Sequence, residues 1–309
     1  MTGTVADGTV PTALADVADV ADVADLGSLP RGGLTRFAPA PTGYLHLGHV
    51  VNALWTWGLA RATGGRVLLR IEDHDRTRSR PAYDAALRED LAWLGFLPDL
   101  GPVRQREPDA LAAYAAALDR LRAAGVIYGC TCTRSTFADW ATSNERPWSG
   151  EGCPGMCRER RLPGPTLRVA LGTGPEAWVD GLVGSCSAEV APAGDLVVRD
   201  RHGDWTYGFC VVVDDLRQDV DLVIRGRDLL HATPTQVRLA RRLGRREPPA
   251  FLHHPLVHRA DGSKLSKAAG DTGVRELRAA GFSAADLITR AAAEGGVPAD
   301  VVTLARTSR

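Results

Sequence analysis

No run of apolar residues in the sequence approaches the roughly 20 needed to span a bilayer, and the first 30 residues lack the basic start and apolar stretch of a secretory leader. Membrane and secreted classes are therefore set aside, and a cytoplasmic enzyme with no membrane partner is the expectation. Charge of a single sign is also lacking. Lys plus Arg and Asp plus Glu both number 37, so no global positive field advertises nucleic acid, and any RNA contact has to come from a local patch. Aromatic residues are absent from positions 1–33, where the near-repeat ADVADVADVADLG runs into Pro and Gly. With nothing large to bury, this stretch is expected to be a disordered or weakly helical extension, although its ADV spacing is also compatible with a short amphipathic helix.

What remains has ample material for a core: 309 residues, 44% of them hydrophobic, suit one large domain with an insertion or a small appendage. From position 34 the pattern turns regular. A short strand at 34–37, a Pro/Gly loop at 38–48, an apolar helix from about 49 to 62 closed by Gly64 and Gly65, and a second strand at 67–71 make a βαβ unit. Such a unit implies a right-handed crossover and a parallel sheet. Helical periodicity recurs at 83–94 and 110–124, with Tyr114, Leu118 and Leu121 on one stripe. Residues 130–200 break this rhythm with cysteines, many Pro and Gly residues and short β-like runs at 166–170 and 196–199. The α/β pattern resumes with an apolar stretch at 205–213, a strand at 222–224 and a helix at 234–243, and the part beyond Lys267 has room for one or two short helices. The expected organisation is an extension (1–33), the first half of a Rossmann-type parallel-sheet α/β domain (34–129), an insertion (130–200), the second half of that domain (201–270) and a short helical C-terminal part (271–309).

The six cysteines divide unevenly. Cys130, Cys132, Cys153 and Cys157 cluster as C-x-C, twenty intervening residues and C-x3-C, whereas Cys186 and Cys210 stand alone in apolar or small-residue surroundings and read as core filler. Four thiolates at this spacing suit tetrahedral Zn²⁺ with no position left for substrate, a structural metal bracing an insertion that cannot build its own core. The competing reading is four unrelated free thiols.

Two further constellations carry chemistry. RFAPAPTGYLHLGH, residues 36–49, lies on the first βα turn, where a strand end and a helix N-terminus present backbone N–H groups and a positive dipole to a phosphate. His46 and His49 flank Gly48, whose missing side chain would let an adenine or ribose approach the helix backbone. On its own, H-x-G-H is equally an accidental pair of surface histidines. Far downstream, DGSKLSK, residues 261–267, places Lys264 and Lys267 three apart in a Gly-flanked loop, suited to charge on a departing pyrophosphate. On its own, it reads as a solvated loop.

Taken together and in this order, the two motifs resemble the HIGH and KMSKS signatures of the class I aminoacyl-tRNA synthetases. The longer strings RFAPAPTGYLHLGH, LLRIEDHD, VVVDD and IRGRDLL resemble the glutamyl branch of that family, and the match runs from about Arg36 to Lys267. The resemblance implies ATP-dependent activation of glutamate. His46, His49, Lys264 and Lys267 would stabilise phosphate charge, and His46, Gly48, His49 and Lys267 would hold ATP, with Mg²⁺ accompanying the pyrophosphate. Arg36 and Arg225 would read carboxylates through their planar guanidinium forks. Glu72 would bind the ammonium, and Ala38, Ala40 and Tyr207 would line the glutamate pocket. Position 40 departs from the family, which has Ser there; that hydroxyl contact is either missing or supplied by Thr42. Where the family's zinc pattern has a Tyr before x3-C, Cys153 stands in this chain. Only 42 residues follow Lys267, too few for a separate anticodon-reading domain. The chain is therefore similar to the truncated glutamyl-queuosine branch, whose members activate glutamate without tRNA and load it on queuosine in the anticodon loop of tRNA(Asp). A monomer is expected. A different acceptor for the adenylate, or a catalytically silent nucleotide or glutamate sensor, are the alternatives. Arg241, Arg242, Arg245 and Arg246 are candidate RNA-backbone contacts or simply a solvated helix face.

Overall fold

A computed structural model describes residues 29–144, 153–160, 163–190, 194–257 and 273–307. The expected extension up to residue 28, and Lys264 and Lys267, lie outside the described residues.

The first βα unit is β1 (Leu34–Phe37), α1 (Leu47–Ala62) and β2 (Arg66–Ile71), with β1 and β2 parallel. Five of six β2 residues are buried, as expected of a strand covered on both faces by helices. α2 (Pro81–Leu94), β3 (Leu100–Arg104) and α3 (Pro108–Ala123) continue the alternation. After the middle of the chain it resumes with α6 (Tyr207–Arg217), β9 (Leu222–Gly226), a 3-10 turn (Arg227–Ala232), α7 (Thr233–Arg242) and β10 (Ala250–His254). The fold is α/β, as expected. α1 begins two residues ahead of the sequence expectation because His46, not a Ser or Asp, caps it through its ring.

The stretch 130–200, expected as one insertion, divides between two sheets. β4 (Ile127–Cys130), β5 (Thr166–Val169) and β8 (Leu196–Arg199) form a three-stranded antiparallel sheet, flanked by α4 (Arg134–Ser143) and the short α5 (Met156–Arg160). β6 (Pro175–Asp180) and β7 (Gly184–Glu189) form a hairpin that leaves this small sheet and extends the large one. The large sheet therefore runs β3-β2-β1-β9-β10-β6-β7, parallel through β6 with β7 antiparallel at the edge. β6 alternates exposed and buried residues along its length, the period-2 pattern of a strand with one face covered.

Three helices, α8 (Val274–Ala279), α9 (Ala284–Glu294) and α10 (Ala299–Ala305), stand where one or two were expected. They are part of the main core rather than an appendage: Leu287, Ile288, Ala291 and Val301 cluster with Val51, Leu54 and the β1–β2 side chains. The approach of α10 to α1 is close enough to dictate sequence. A Cβ at Gly58 would stand 2.5 Å from both Cγ1 and the carbonyl O of Val301, which is why a helix interior tolerates glycine there. Cys186 and Cys210 are buried among apolar neighbours. Among the described residues, no helix is long and apolar enough to cross a membrane.

Candidate active site at the ends of four parallel strands

The strand order reverses at β1, with β2 on one side and β9 on the other. In such sheets a crevice opens at the carboxyl ends of the strands on either side of the reversal. A cavity of about 430 Å³ lies there, within the usual range of small-molecule sites. Arg36 and Phe37 come from the end of β1, Glu72 follows β2, Arg225 and Gly226 end β9, and His254 ends β10. All nine described residues expected in the small-molecule site, Arg36, Ala38, Ala40, His46, Gly48, His49, Glu72, Tyr207 and Arg225, line this one cavity, as does Thr42.

The floor is a buried charge network. Arg36 Nε donates to Asp215 Oδ1 at 3.1 Å and its Nη1 donates to the Ile224 carbonyl at 3.2 Å. Arg70 Nη2 donates to the same Asp215 oxygen at 2.6 Å, and Arg70 Nε lies 3.5 Å from Glu72 Oε1. Burial alone would raise the Asp215 carboxyl, but the two guanidiniums hold it below the usual range. Glu72 goes the other way: burial outweighs Arg70 and Arg36 and lifts it from 4.5 to about 7. Its Oε1 is buried and makes no hydrogen bond, with Arg70 Nε as its charged neighbour.

Arg225 is held from behind. Its Nη1 donates to Gln236 Oε1 at 2.7 Å, its Nη2 to Thr233 Oγ1 at 2.8 Å and its Nε to His253 Nε2 at 3.0 Å. The guanidinium also sits 5.4 Å above the Phe251 ring. Tyr207 caps the floor, its hydroxyl pKa raised by burial.

The opposite wall is the start of α1. The Gly48 N–H donates to His46 Nδ1 and the His46 N–H to His49 Nδ1, both at 3.1 Å. With Nδ1 an acceptor in each ring, the neutral imidazole carries its hydrogen on Nε2, a donor on a side chain lining the cavity. Gly48 has a nearer role than admitting a ligand: a Cβ there would meet His46 Cε1 at 3.0 Å, pushing the capping ring aside. The segment 258–272 is outside the described residues, but both of its flanks are at this cleft. Val257 lines the cavity. Gly273 forms a β-bridge with His46, and the Val274 N–H donates to the Leu45 carbonyl at 2.8 Å.

Several residues of the site were not singled out in the sequence. His74, Asp75, Arg78, Asn52, Asp228 and His254 line the cavity. Burial lowers His254 to about 4, so it is neutral, with Nδ1 facing the Pro255 carbonyl at 2.9 Å and Nε2 facing Asn52 Nδ2 at 3.1 Å. His74 Nδ1 contacts Gln105 Oε1 at 2.6 Å; Gln105 in turn donates to Asp214, which also accepts from Tyr114.

The four clustered cysteines converge at the end of β4, their Sγ atoms all within 4.8 Å of one another. Cys132 Sγ lies 3.8 Å from that of Cys153 and 3.3 Å from that of Cys157, near the roughly 3.8 Å edge of a tetrahedron with 2.3 Å Zn–S bonds. Asp195 braces the cluster, pairing with Cys153 through the backbone and accepting from Tyr128 at 2.8 Å and Arg158 at 3.2 Å. The donor set could hold zinc. The arginines of α7 and the turn after it are largely occupied within the chain. Arg241 reaches Glu176 and the Arg246 carbonyl, and Arg245 reaches the Glu247 and Val220 carbonyls.

Residues 34–299 match the family described as tRNA synthetases class I (E and Q), catalytic domain. A glutamyl-Q tRNA(Asp) synthetase of Rhodobacter capsulatus is 39% identical over 82% of this chain and 98% of its own length. One from Symbiobacterium thermophilum is 42% identical over 80% of this chain and 82% of its own. Among solved structures, a glutamate–tRNA ligase from Elizabethkingia meningosepticum in complex with its amino acid superposes with a TM-score of 0.65 at 26% identity, over 82% of this chain and 54% of that one. The chain thus spans about half the length of that ligase. A Mycobacterium tuberculosis methionyl-tRNA synthetase with methionyl-adenylate shares the fold, with a TM-score of 0.55 at 15% identity.

Proposed function

The chain belongs to the class I tRNA synthetase family of the E and Q type and is a ligase, and from that premise we propose that it activates glutamate with ATP, without tRNA, and transfers it to queuosine in the anticodon loop of tRNA(Asp). The observation that carries the activation step is the convergence of Arg36, Glu72, Tyr207, Arg225 and the His46–His49 helix start on one cavity. A glutamate set between Arg225 and Glu72 has its side-chain carboxylate on a guanidinium and its ammonium on the Glu72 carboxylate, both residues lining the cavity. Its α-carboxylate is left to attack the α-phosphate of ATP in line, releasing pyrophosphate. His46 and His49 meet developing phosphate charge through Nε2–H, assisted by the N-terminal dipole of α1, and Gly48 keeps the first ring in place. Lys264 and Lys267 complete this stabilisation, and Mg²⁺ accompanies the phosphates. Catalysis is chiefly positioning and charge stabilisation, with no covalent enzyme intermediate. Ala40 offers no hydroxyl, and Thr42 on the same wall supplies one. Cys130, Cys132, Cys153 and Cys157 would hold a structural Zn²⁺ that fixes the small sheet.

The choice of acceptor is supported by the relatives named glutamyl-Q tRNA(Asp) synthetase that match this chain along most of both lengths. A base splayed from a single-stranded loop suits an adenylate buried in a cleft of this size. Two measurements test the reading. Pyrophosphate exchange with each amino acid, in the absence of tRNA, is expected only with glutamate. Labelled glutamate is expected to appear on queuosine-containing tRNA(Asp) and not on queuosine-free tRNA(Asp); equal labelling of both would remove the queuosine assignment.

A further inference from the structure

Behind Arg225 lies a buried chain of side chains that the activation chemistry does not use. His253 Nδ1 is 2.5 Å from Asp180 Oδ2, and both residues are essentially inaccessible to solvent, at 0% and 1% exposure. Because the Arg225 Nε–H can only donate, His253 Nε2 must be the acceptor, so Nδ1 carries the ring hydrogen and donates it to Asp180. Burial lowers the His253 pKa against the opposing pull of Asp180, which keeps the ring neutral, as this arrangement requires. Asp180 is itself immobilised, its Oδ1 accepting the Leu182 and Val183 N–H groups of the β6–β7 turn at 3.0 and 3.2 Å. A buried guanidinium needs a counter-charge. Arg36 and Arg70 have Asp215 directly, whereas Arg225 donates to the neutral Gln236, Thr233 and His253, with the Tyr207 hydroxyl and the Asp215 carboxylate also favouring its charge and Asp180 one imidazole further on.

We propose that Asp180 and His253 are positioning residues that aim Arg225 at the side-chain carboxylate of the amino acid, making the β6–β7 hairpin a determinant of substrate selection. The inference rests on the assignment of glutamate to this pocket. Asp180 fixes the tautomer, the tautomer fixes the Nε contact, and that contact sets the plane in which the guanidinium offers its outer N–H donors to the cavity. Asparagine at 253 can still donate to Asp180 but cannot reach Arg225, whereas glutamine places an acceptor near the position of Nε2. Asp180→Asn keeps the shape but lets the amide donate to Nδ1, which would turn Nε2 into a donor facing Arg225.

The test compares the wild-type protein with His253→Asn, His253→Gln, Asp180→Asn, Arg225→Ala and the His253→Asn/Arg225→Ala double variant. Each is assayed for pyrophosphate exchange and for direct glutamate binding by calorimetry, with thermal melts reporting folding. His253→Asn and Asp180→Asn are expected to raise the KM and Kd for glutamate roughly ten- to a hundredfold while the KM for ATP stays within about twofold. His253→Gln should recover most of the loss, and the double variant should bind glutamate no worse than Arg225→Ala alone. Folded His253→Asn and Asp180→Asn proteins with wild-type glutamate KM, equal losses for glutamate and ATP, or full additivity with Arg225→Ala would each overturn the relay while leaving glutamate activation standing. A wild-type protein inert towards glutamate would remove the parent assignment and the relay with it.

Discussion

If Glu72 receives the ammonium of the amino acid, binding must expel a proton. Its carboxyl is lifted by burial to about 7, so at neutral pH the empty site is protonated in about half of the molecules. An ammonium placed on it supplies a donor and an opposite charge at close range, and both favour the ionised form. Linkage then sets the stoichiometry: about half a proton released per glutamate bound at pH 7, about nine-tenths at pH 6 and about a tenth at pH 8. Calorimetric titrations with glutamate in two buffers of different ionisation enthalpy give this number directly. The same group predicts a stability signature. Its folded value lies above its ordinary 4.5, so the folded state binds more protons between those values and loses stability as pH rises from about 4.5 to 7. Glu72→Gln removes that loss. Without ligand the variant should match wild type near pH 4.5 and exceed it by about 3 kcal/mol, as an order of magnitude, above pH 7, while glutamate binding is lost. Proton release that is zero and flat from pH 6 to pH 8, or a Glu72→Gln protein less stable than wild type at pH 8, would refute the assignment.

Arg225→Ala should raise the KM for glutamate about a hundredfold with little change for ATP, read by pyrophosphate exchange at varied concentrations of each, since in the proposed pose its ligand contact goes to the amino acid and not to ATP. Lys267→Ala should slow adenylate formation by roughly a hundredfold without moving the melting temperature, as expected of a group acting on transition-state charge; unchanged single-turnover rates would count against it. Cys132→Ser should lower bound zinc, measured by mass spectrometry, and expose the β4-β5-β8 sheet to protease before the large sheet opens. Gly58→Ala, which forces a methyl group against Val301, should destabilise by about 1–3 kcal/mol in urea titrations while leaving the specific activity of the folded fraction intact.

The parallel frame and the wall of the site were legible because their signals are local. Apolar runs bounded by Gly and Pro give β1, β2 and β9, and the histidine motif sits on a turn whose position in a βαβ unit fixes what it faces. The hairpin β6–β7 was not legible, and the reason is physical. In Pro175–Asp180 two of the three inward positions are carboxylates, Glu176 and Asp180 on either side of Trp178, while Ala177 and Val179 face outward, which breaks the hydrophobic-in alternation. That departure is tolerated because Arg238 pairs with Glu176 and His253 with Asp180, partners found far away in sequence. Arg70 left a readable trace, a charge inside the apolar run LLRI that has to be paired once buried, whereas its partner Asp215 lies 145 positions away. The capping role of His46 was hidden for a different reason: imidazole is not among the usual N-cap side chains, and Gly48 makes room for it.

The topology also bears on how two motifs so distant in the chain can serve one triphosphate. The segment carrying Lys264 and Lys267 leaves from Val257, on the cavity wall, and re-enters at Gly273, bridged to His46. Lys264 is thus seven positions in sequence from one anchor and Lys267 six from the other. The length that enters the closure entropy, which grows only with its logarithm, is therefore the 15 residues between these flanks and not a two-hundred-residue span. His46 joins the two halves: it caps α1, forms the β-bridge with Gly273, and lines the cavity. A substitution at His46 should therefore weaken the contribution of the lysines together with its own. The losses from His46→Ala and Lys267→Ala in adenylate formation should combine to less than their product, whereas strict additivity would mean that the bridge to Gly273 has no part in aligning them.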